Sequence, residues 1–155
     1  PGLASRPIFR DPFKLVCRND SPLAARGPTL DWGDLEGEAL IVNEAARNLP
    51  SPEFQRLATD ARFSVRNVAS LVALVQSGMG VTLLPALATV NLPADLTARS
   101  LRDPACMRTV SLYWRAGRVP SPVAQRFLRD FALAAQHLTR TLGLEPIDER
   151  PASGS

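Results

Sequence analysis

The stretch LVALVQSGMGVTLLP, Leu71 to Pro85, holds an apolar run with helical period, then Gly-Met-Gly, then a short apolar run of strand length. The order of these parts decides how the chain is read. In a nucleotide-binding loop the glycines follow a strand and open a helix, so that the helix's positive N-terminus faces phosphate. Here the helix comes first and the strand follows. Gly78 then stands where helices end in a left-handed residue, and Gly80 eases entry into the strand. The carbonyl end of a helix repels anions, so these glycines turn a corner and do not cradle phosphate.

Outward from this corner, Val68, Leu71, Val72 and Val75 recur at helical spacing and predict a helix over 68–77 with a core face, capped by Asn67. Val81 to Leu84, bounded by Gly80 and Pro85, predicts a buried strand. Upstream, Phe13 to Cys17 and Ala39 to Val42 read as strands, Asp31 to Glu38 as a short turn with an acidic edge, and Arg62 to Arg66 as an alternating strand. Ser51-Pro52 is a capping hydroxyl followed by proline at the first helical position, predicting a helix to about Thr59. Downstream, a helical turn over 86–89 and strands over 96–101 and 109–115 are expected. Ser121-Pro122 repeats the cap signal and opens the longest helix, to about Leu138, with Val123, Phe127, Phe131, Ala134 and Leu138 along one stripe. Residues 141–155 read as a disordered tail. Short strands alternating with helices predict an α/β fold with a largely parallel sheet.

Composition is that of an ordinary globular protein: 155 residues, 45% hydrophobic and 21% charged. No apolar run approaches the roughly 18 residues of a membrane span, and the opening PGLASRPIFR lacks a signal peptide's apolar segment, so the cytoplasm is the expected compartment, without membrane contact. The charge is +3, yet Arg47, Arg56, Arg62 and Arg66 alternate with acids and Lys14 is the only lysine. Scattered charge with few aromatics describes a solvated face better than a nucleic-acid surface. Cys17 and Cys106 lie far apart with no CxxC partner, and His137 is the only histidine, so neither a metal site nor a disulfide is expected, and no cofactor is implied.

Ligands of open α/β sheets bind outside the carboxyl ends of strands. That rule gathers Asn43 and Glu44 after the strand ALIV, Arg66, Asn67 and Val68 after RFSVR, and Pro85 after VTLL into one candidate ligand-binding crevice. Asn67 with adjacent backbone N–H groups would hold a polar or anionic group, Arg66 would supply charge, and Asn43, Glu44 and Pro85 would shape the wall.

Four segments in register, DPFKLVCRNDSPLA (11–24), DLEGEALI (34–41), SLVALVQSGMGVTLLPALA (70–88) and TVSLYWRAGRVPSPVAQRFLRDF (109–131), resemble the effector-binding domain of LysR-type transcriptional regulators. The resemblance implies a periplasmic-binding-protein-like (type 2) fold of two α/β subdomains holding a small-molecule inducer, often an organic acid, between them. In this family DNA is bound by an N-terminal winged helix-turn-helix. Residues 1–140 resemble mainly the second subdomain with its C-terminal return helix, so the helix-turn-helix and nearly all of the first subdomain are expected to be absent and DNA contact to belong to that absent domain. Redox-sensing members carry cysteines in the loop that here spans Asn43 to Ser51; this loop has none, which argues against peroxide sensing.

The resemblance implies a ligand-sensing domain that acts by shifting populations in a homo-oligomer. A solute-binding protein of a transport system, sharing the fold, is the alternative. An enzyme is not expected: Ser51 and Ser121 look like caps, and no acid-base pair stands near His137. The apolar stripe of the last helix, if left uncovered, or an unpaired strand edge is expected to drive self-association.

Overall fold

The computed structural model describes residues 2–117, 121–142 and 144–147, with only the backbone of Leu138. The chain forms two compact units. One is Pro12–Arg108; the other joins the chain up to Asp11 with the chain from Thr109 onward.

In the first unit, strands β1 (Leu3–Arg18), β2 (Thr29–Leu30), β3 (Leu40–Asn43), β4 (Phe63–Val65), β5 (Val81–Pro85) and β6 (Leu96–Leu101) make a sheet of order β2-β6-β1-β5-β3-β4. Parallel pairing joins β2 to β6 and β3 to both β4 and β5, whereas β1 runs antiparallel to β5 and β6. Five strands therefore run one way, as the sequence pattern predicts, and the central β1 opposes them. Strand residues encode burial but not direction, which is why the exception was not legible.

Alternate residues supply two cores. Phe13, Leu15 and Cys17 of β1 join Leu40, Val42, Val81 and Leu83 on one face. Helices α1 (Pro22–Ala25) and α2 (Pro52–Thr59) send Leu23 and Phe54 into that core. On the other face Val16, Ile41 and Leu84 meet Leu71 and Val75 of α3 (Val68–Gln76). A sheet buried on both faces needs continuous apolar strands, and β3 and β5 are fully buried along their lengths. Val68, expected on the core face, is 39% exposed, and Val72 is half-buried. Helical side chains lean toward the helix N-terminus, so the first residue of α3 overhangs its packing partners.

The Gly78 corner closes as a Schellman motif: Gly78 N–H donates to Val75 O at 3.0 Å and Met79 N–H to Leu74 O at 3.1 Å, with Gly78 at φ +76°. Gly80, at φ +148°, lies so close to Ala39 that an added Cβ would stand 2.0 Å from that carbonyl oxygen. Val81 N–H donates to the same oxygen at 2.9 Å, which locks β5 beside β3.

The caps read from sequence are present. Ser51 Oγ accepts from Phe54 N–H at 3.2 Å, and Asn67 Oδ1 accepts from Ala69 and Ser70 N–H at 2.8 and 3.2 Å. Ser51 is fully buried and also donates to Asp103, which accepts Trp32 Nε1–H at 2.7 Å and Ala105 N–H at 2.8 Å. Burial pushes the Asp103 carboxyl up, but these hydrogen bonds outweigh it and hold it below the usual carboxylate range. A carboxyl depressed in the folded state stabilises above its unfolded value, and that contribution is lost as pH falls through the folded one. Asp103→Ala should therefore cost about 1–3 kcal/mol at pH 7 by stranding its donors. In urea titrations the difference from wild type should shrink as the pH falls below the ordinary carboxylate range and through the lowered folded value of Asp103; a gap independent of pH would contradict this network.

In the second unit, β7 (Met107–Arg115) and β8 (Glu145–Pro146) pair with β1, the latter antiparallel with Phe9 opposite Pro146. Helix α4 spans Pro122–Leu142, with Ser121 Oγ accepting from Ala124 N–H at 3.3 Å. Helix α4 and strand β8 thus run past the start of the expected tail at residue 141, and residues 148–155 lie outside the described residues. Along α4, Val123 and Phe127 are 79% and 60% exposed and Phe131, stacked on Phe127 at 5.8 Å, is half-buried. Ala134 is exposed; the side chain of Leu138, the fifth residue of the stripe, lies outside the described residues.

Candidate functional site

Parallel pairing sets Asn43, the last residue of β3, opposite Val65, the last of β4. The next residue of each strand, Glu44 and Arg66, therefore meet across the strand ends. Arg66 Nε donates to Glu44 Oε2 at 2.7 Å and Nη2 to Oε1 at 3.5 Å. Glu44 opens a single 3-10 turn, Glu44–Ala46, and the spacing of that turn brings Arg47 Nε to 4.0 Å from Glu44 Oε1. Arg47 is steadied by Nη2 donating to Ser64 Oγ at 2.9 Å. Two guanidiniums around one carboxylate leave an excess positive charge beside the N-terminus of α3, where the helix dipole also favours anions.

The six residues predicted from strand order take different parts. Glu44 and Arg66 are the charged pair, and the side chain of Arg66 is 84% exposed. The oxygen of Asn67 is committed to capping α3, so its amide donors are the part left for a ligand. Asn43 is buried with both amide ends engaged: Oδ1 accepts from Ala45 N–H at 3.0 Å and Nδ2 donates to Leu83 O at 3.4 Å. It positions the 44–46 turn against β5. Pro85, buried at the end of β5, forms wall, and Val68 lies exposed at the first turn of α3. Sequence reasoning missed Arg47, whose signal was its spacing of three from Glu44 in a turn.

A cavity of about 530 Å3 lies elsewhere, at the amino-terminal ends of β3 and β4. Leu40, Leu57, Phe63 and Met79 give it apolar walls, Arg56 and Asp60 line it as charged groups, and none of the six predicted residues lines it. At the carboxyl ends, by contrast, Arg66, Asn67 and Val68 are exposed.

The residues considered for catalysis are otherwise occupied. The Ser51 hydroxyl is bound into the Asp103 network, and Ser121 caps α4. His137 is exposed sixteen positions further along the chain from Ser121, about 24 Å away at helical rise. Among the described residues no group of His, Cys, Asp and Glu is arranged to hold a metal ion.

Both thiols are buried and free. Burial raises the Cys17 thiol against the opposing charge of Arg99, and burial with the Asp103 charge pushes Cys106 up to about 12. At neutral pH that lowers the Cys106 thiolate fraction by about a thousandfold relative to an ordinary cysteine. Alkylation of the native chain by iodoacetamide should be correspondingly slow and should become fast in urea; rapid modification of native Cys106 would contradict its burial.

Comparison with known proteins gives a consistent picture. Residues 1–136 match the family described as LysR substrate binding domain. The chain is 34% identical over 128 residues to the uncharacterized HTH-type transcriptional regulator YbhD of Escherichia coli (strain K12), covering 78% of this chain and 40% of that protein. It is 31% identical over 135 residues to the hydrogen peroxide-inducible genes activator of Dickeya chrysanthemi, covering 78% of this chain and 41% of the relative. Among solved structures, the regulatory domain of CcmR from Synechocystis PCC6803, in complex with 2-PG, superposes with a TM-score of 0.70 at 25% identity, over 85% of this chain and 66% of that one. The chain therefore spans about two fifths of the length of the curated relatives it matches.

Proposed function

The chain belongs to the LysR substrate-binding domain family, and from that premise we propose that it binds a small organic acid at the carboxyl ends of β3, β4 and β5 and thereby controls DNA binding by the whole protein. The family match over residues 1–136 carries the regulatory reading. The relatives are transcriptional regulators, which favours ligand sensing over solute transport or catalysis. The excess positive charge at Arg66 and Arg47 beside the α3 N-terminus supports an anionic ligand. The regulatory domain of CcmR was solved with a small molecule bound, which fits the same kind of role. DNA contact falls to a part of the protein outside this chain, and the cytoplasm is the compartment in which such a regulator works.

Although one relative is named a hydrogen peroxide-inducible genes activator, two buried thiols with raised values do not suit a peroxide sensor. Self-association through the exposed Val123 and Phe127 face of α4 completes this reading; a sedimentation profile that stays monomeric over a wide concentration range contradicts it.

The test is a thermal-shift screen of the full-length protein against small aliphatic and aromatic carboxylates, with Arg66→Gln and Asn67→Ser beside it. Serine keeps a capping oxygen, so Asn67→Ser removes the amide donors without uncapping α3. Stabilisation by an acid that both variants weaken supports the site; stabilisation that neither variant changes places the ligand elsewhere.

A further inference from the structure

Arg66 is not a vacant anion receptor, because Glu44 already occupies it at 2.7 Å. We infer that Glu44 is a built-in competitor for the effector: its carboxylate holds Arg66 while the crevice is empty, and an effector carboxylate binds by exchanging with it. This rests on the organic-acid reading of the crevice.

The exchange is physically cheap for three reasons. The Arg66 guanidinium is largely exposed, and exposed ion pairs contribute little stability, so opening the pair sacrifices little. Glu44 does not become an unpaired charge when it lets go, because Arg47 Nε already stands 4.0 Å from its other oxygen and is held there by Ser64. The Glu44 backbone itself stays fixed, since Asn43 clamps the turn through Ala45 and Leu83. The incoming carboxylate thus meets one guanidinium released to it while the second retains Glu44.

Retaining Glu44 beside the bound anion sets the charge selectivity. With Glu44 present, the two arginines leave one net positive charge, which suits one carboxylate. A second carboxylate on the same ligand meets Glu44 as a like charge at short range, a repulsion that weakens binding by about fivefold even at the dielectric of bulk water. Glu44 is therefore a specificity-determining residue that favours monocarboxylates over dicarboxylates.

The deciding experiment is calorimetric titration of the 155-residue chain with benzoate, phthalate and neutral benzamide, in wild type, Glu44→Gln, Arg66→Gln and the double variant. Glu44→Gln should tighten benzoate severalfold and phthalate about tenfold while leaving benzamide unchanged, and Arg66→Gln should remove anion binding alone or with Glu44→Gln. Arg66-dependent binding of benzoate that Glu44→Gln leaves equal or weakens overturns the exchange and keeps the crevice. Absence of Arg66-dependent binding of either acid, even in Glu44→Gln, overturns both. A thermal melt of each variant in buffer separates lost folding from lost binding.

Discussion

Gly80→Ala is expected to destabilise the chain by about 3 kcal/mol or more, among the largest effects available to a single added methyl. Two costs coincide at this position. The backbone is at φ +148°, a conformation L side chains rarely adopt, and the new Cβ would stand 2.0 Å from the Ala39 carbonyl oxygen. That oxygen accepts from Val81 N–H, so relief requires moving the contact that docks β5 on β3. Gly78→Ala is the internal control. At φ +76° it meets the same reluctance of L residues for positive φ, but nothing lies within 4 Å of its Cβ, and the expected loss is about 1–2 kcal/mol. Urea unfolding of both variants checks the pair; equal losses would mean that β5 does not approach β3 through Ala39 as described.

Phe54→Ala is expected to lose about 3–5 kcal/mol. Phe54 is 1% exposed in the first turn of α2, with its ring 6.2 Å from that of Trp32. Helix α2 has only eight residues, too short to hold by itself, and Phe54 is its one fully buried side chain. Because Ser51 at the cap of the same helix reaches Asp103, the loss should spread to the Asp103 network, and Phe54→Ala combined with Asp103→Ala should be less than additive. Strict additivity in the double variant would show that the α2 core contact and the network are independent.

The parts of this fold that were legible in the sequence are those fixed by local chemistry. Ser51-Pro52, Asn67 and Gly78 each solve a problem of unsatisfied backbone groups within a few residues of themselves, so residue type and position suffice. Strand β1 was read only over Phe13 to Cys17, although it extends from Leu3 to Arg18. Its residues before Phe13 include Pro7 and Pro12 and polar side chains that argue against a strand by themselves, and β7 and β8, from the far end of the chain, pair with it. The same distant pairing orders residues 145–146, which composition alone assigned to a tail. The neighbouring carboxyl ends of β3, β4 and β5 were legible from topology, but the hydrogen bonds that each side chain makes there were not. Nothing in the sequence distinguishes Asn43, buried and bonded to Ala45 and Leu83, from Asn67, exposed at the cap of α3.

The location of the ligand is the centre of the account, and the chain contains a physical competitor for it in the 530 Å3 cavity at the opposite strand ends. A titration of the 15N-labelled chain with benzoate, followed by amide chemical shifts, decides between them. The account predicts shifts at Glu44, Ala45, Arg66, Asn67 and Val68 while Glu38, Phe63 and Met79 stay in place; shifts confined to Glu38, Phe63 and Met79 would contradict it.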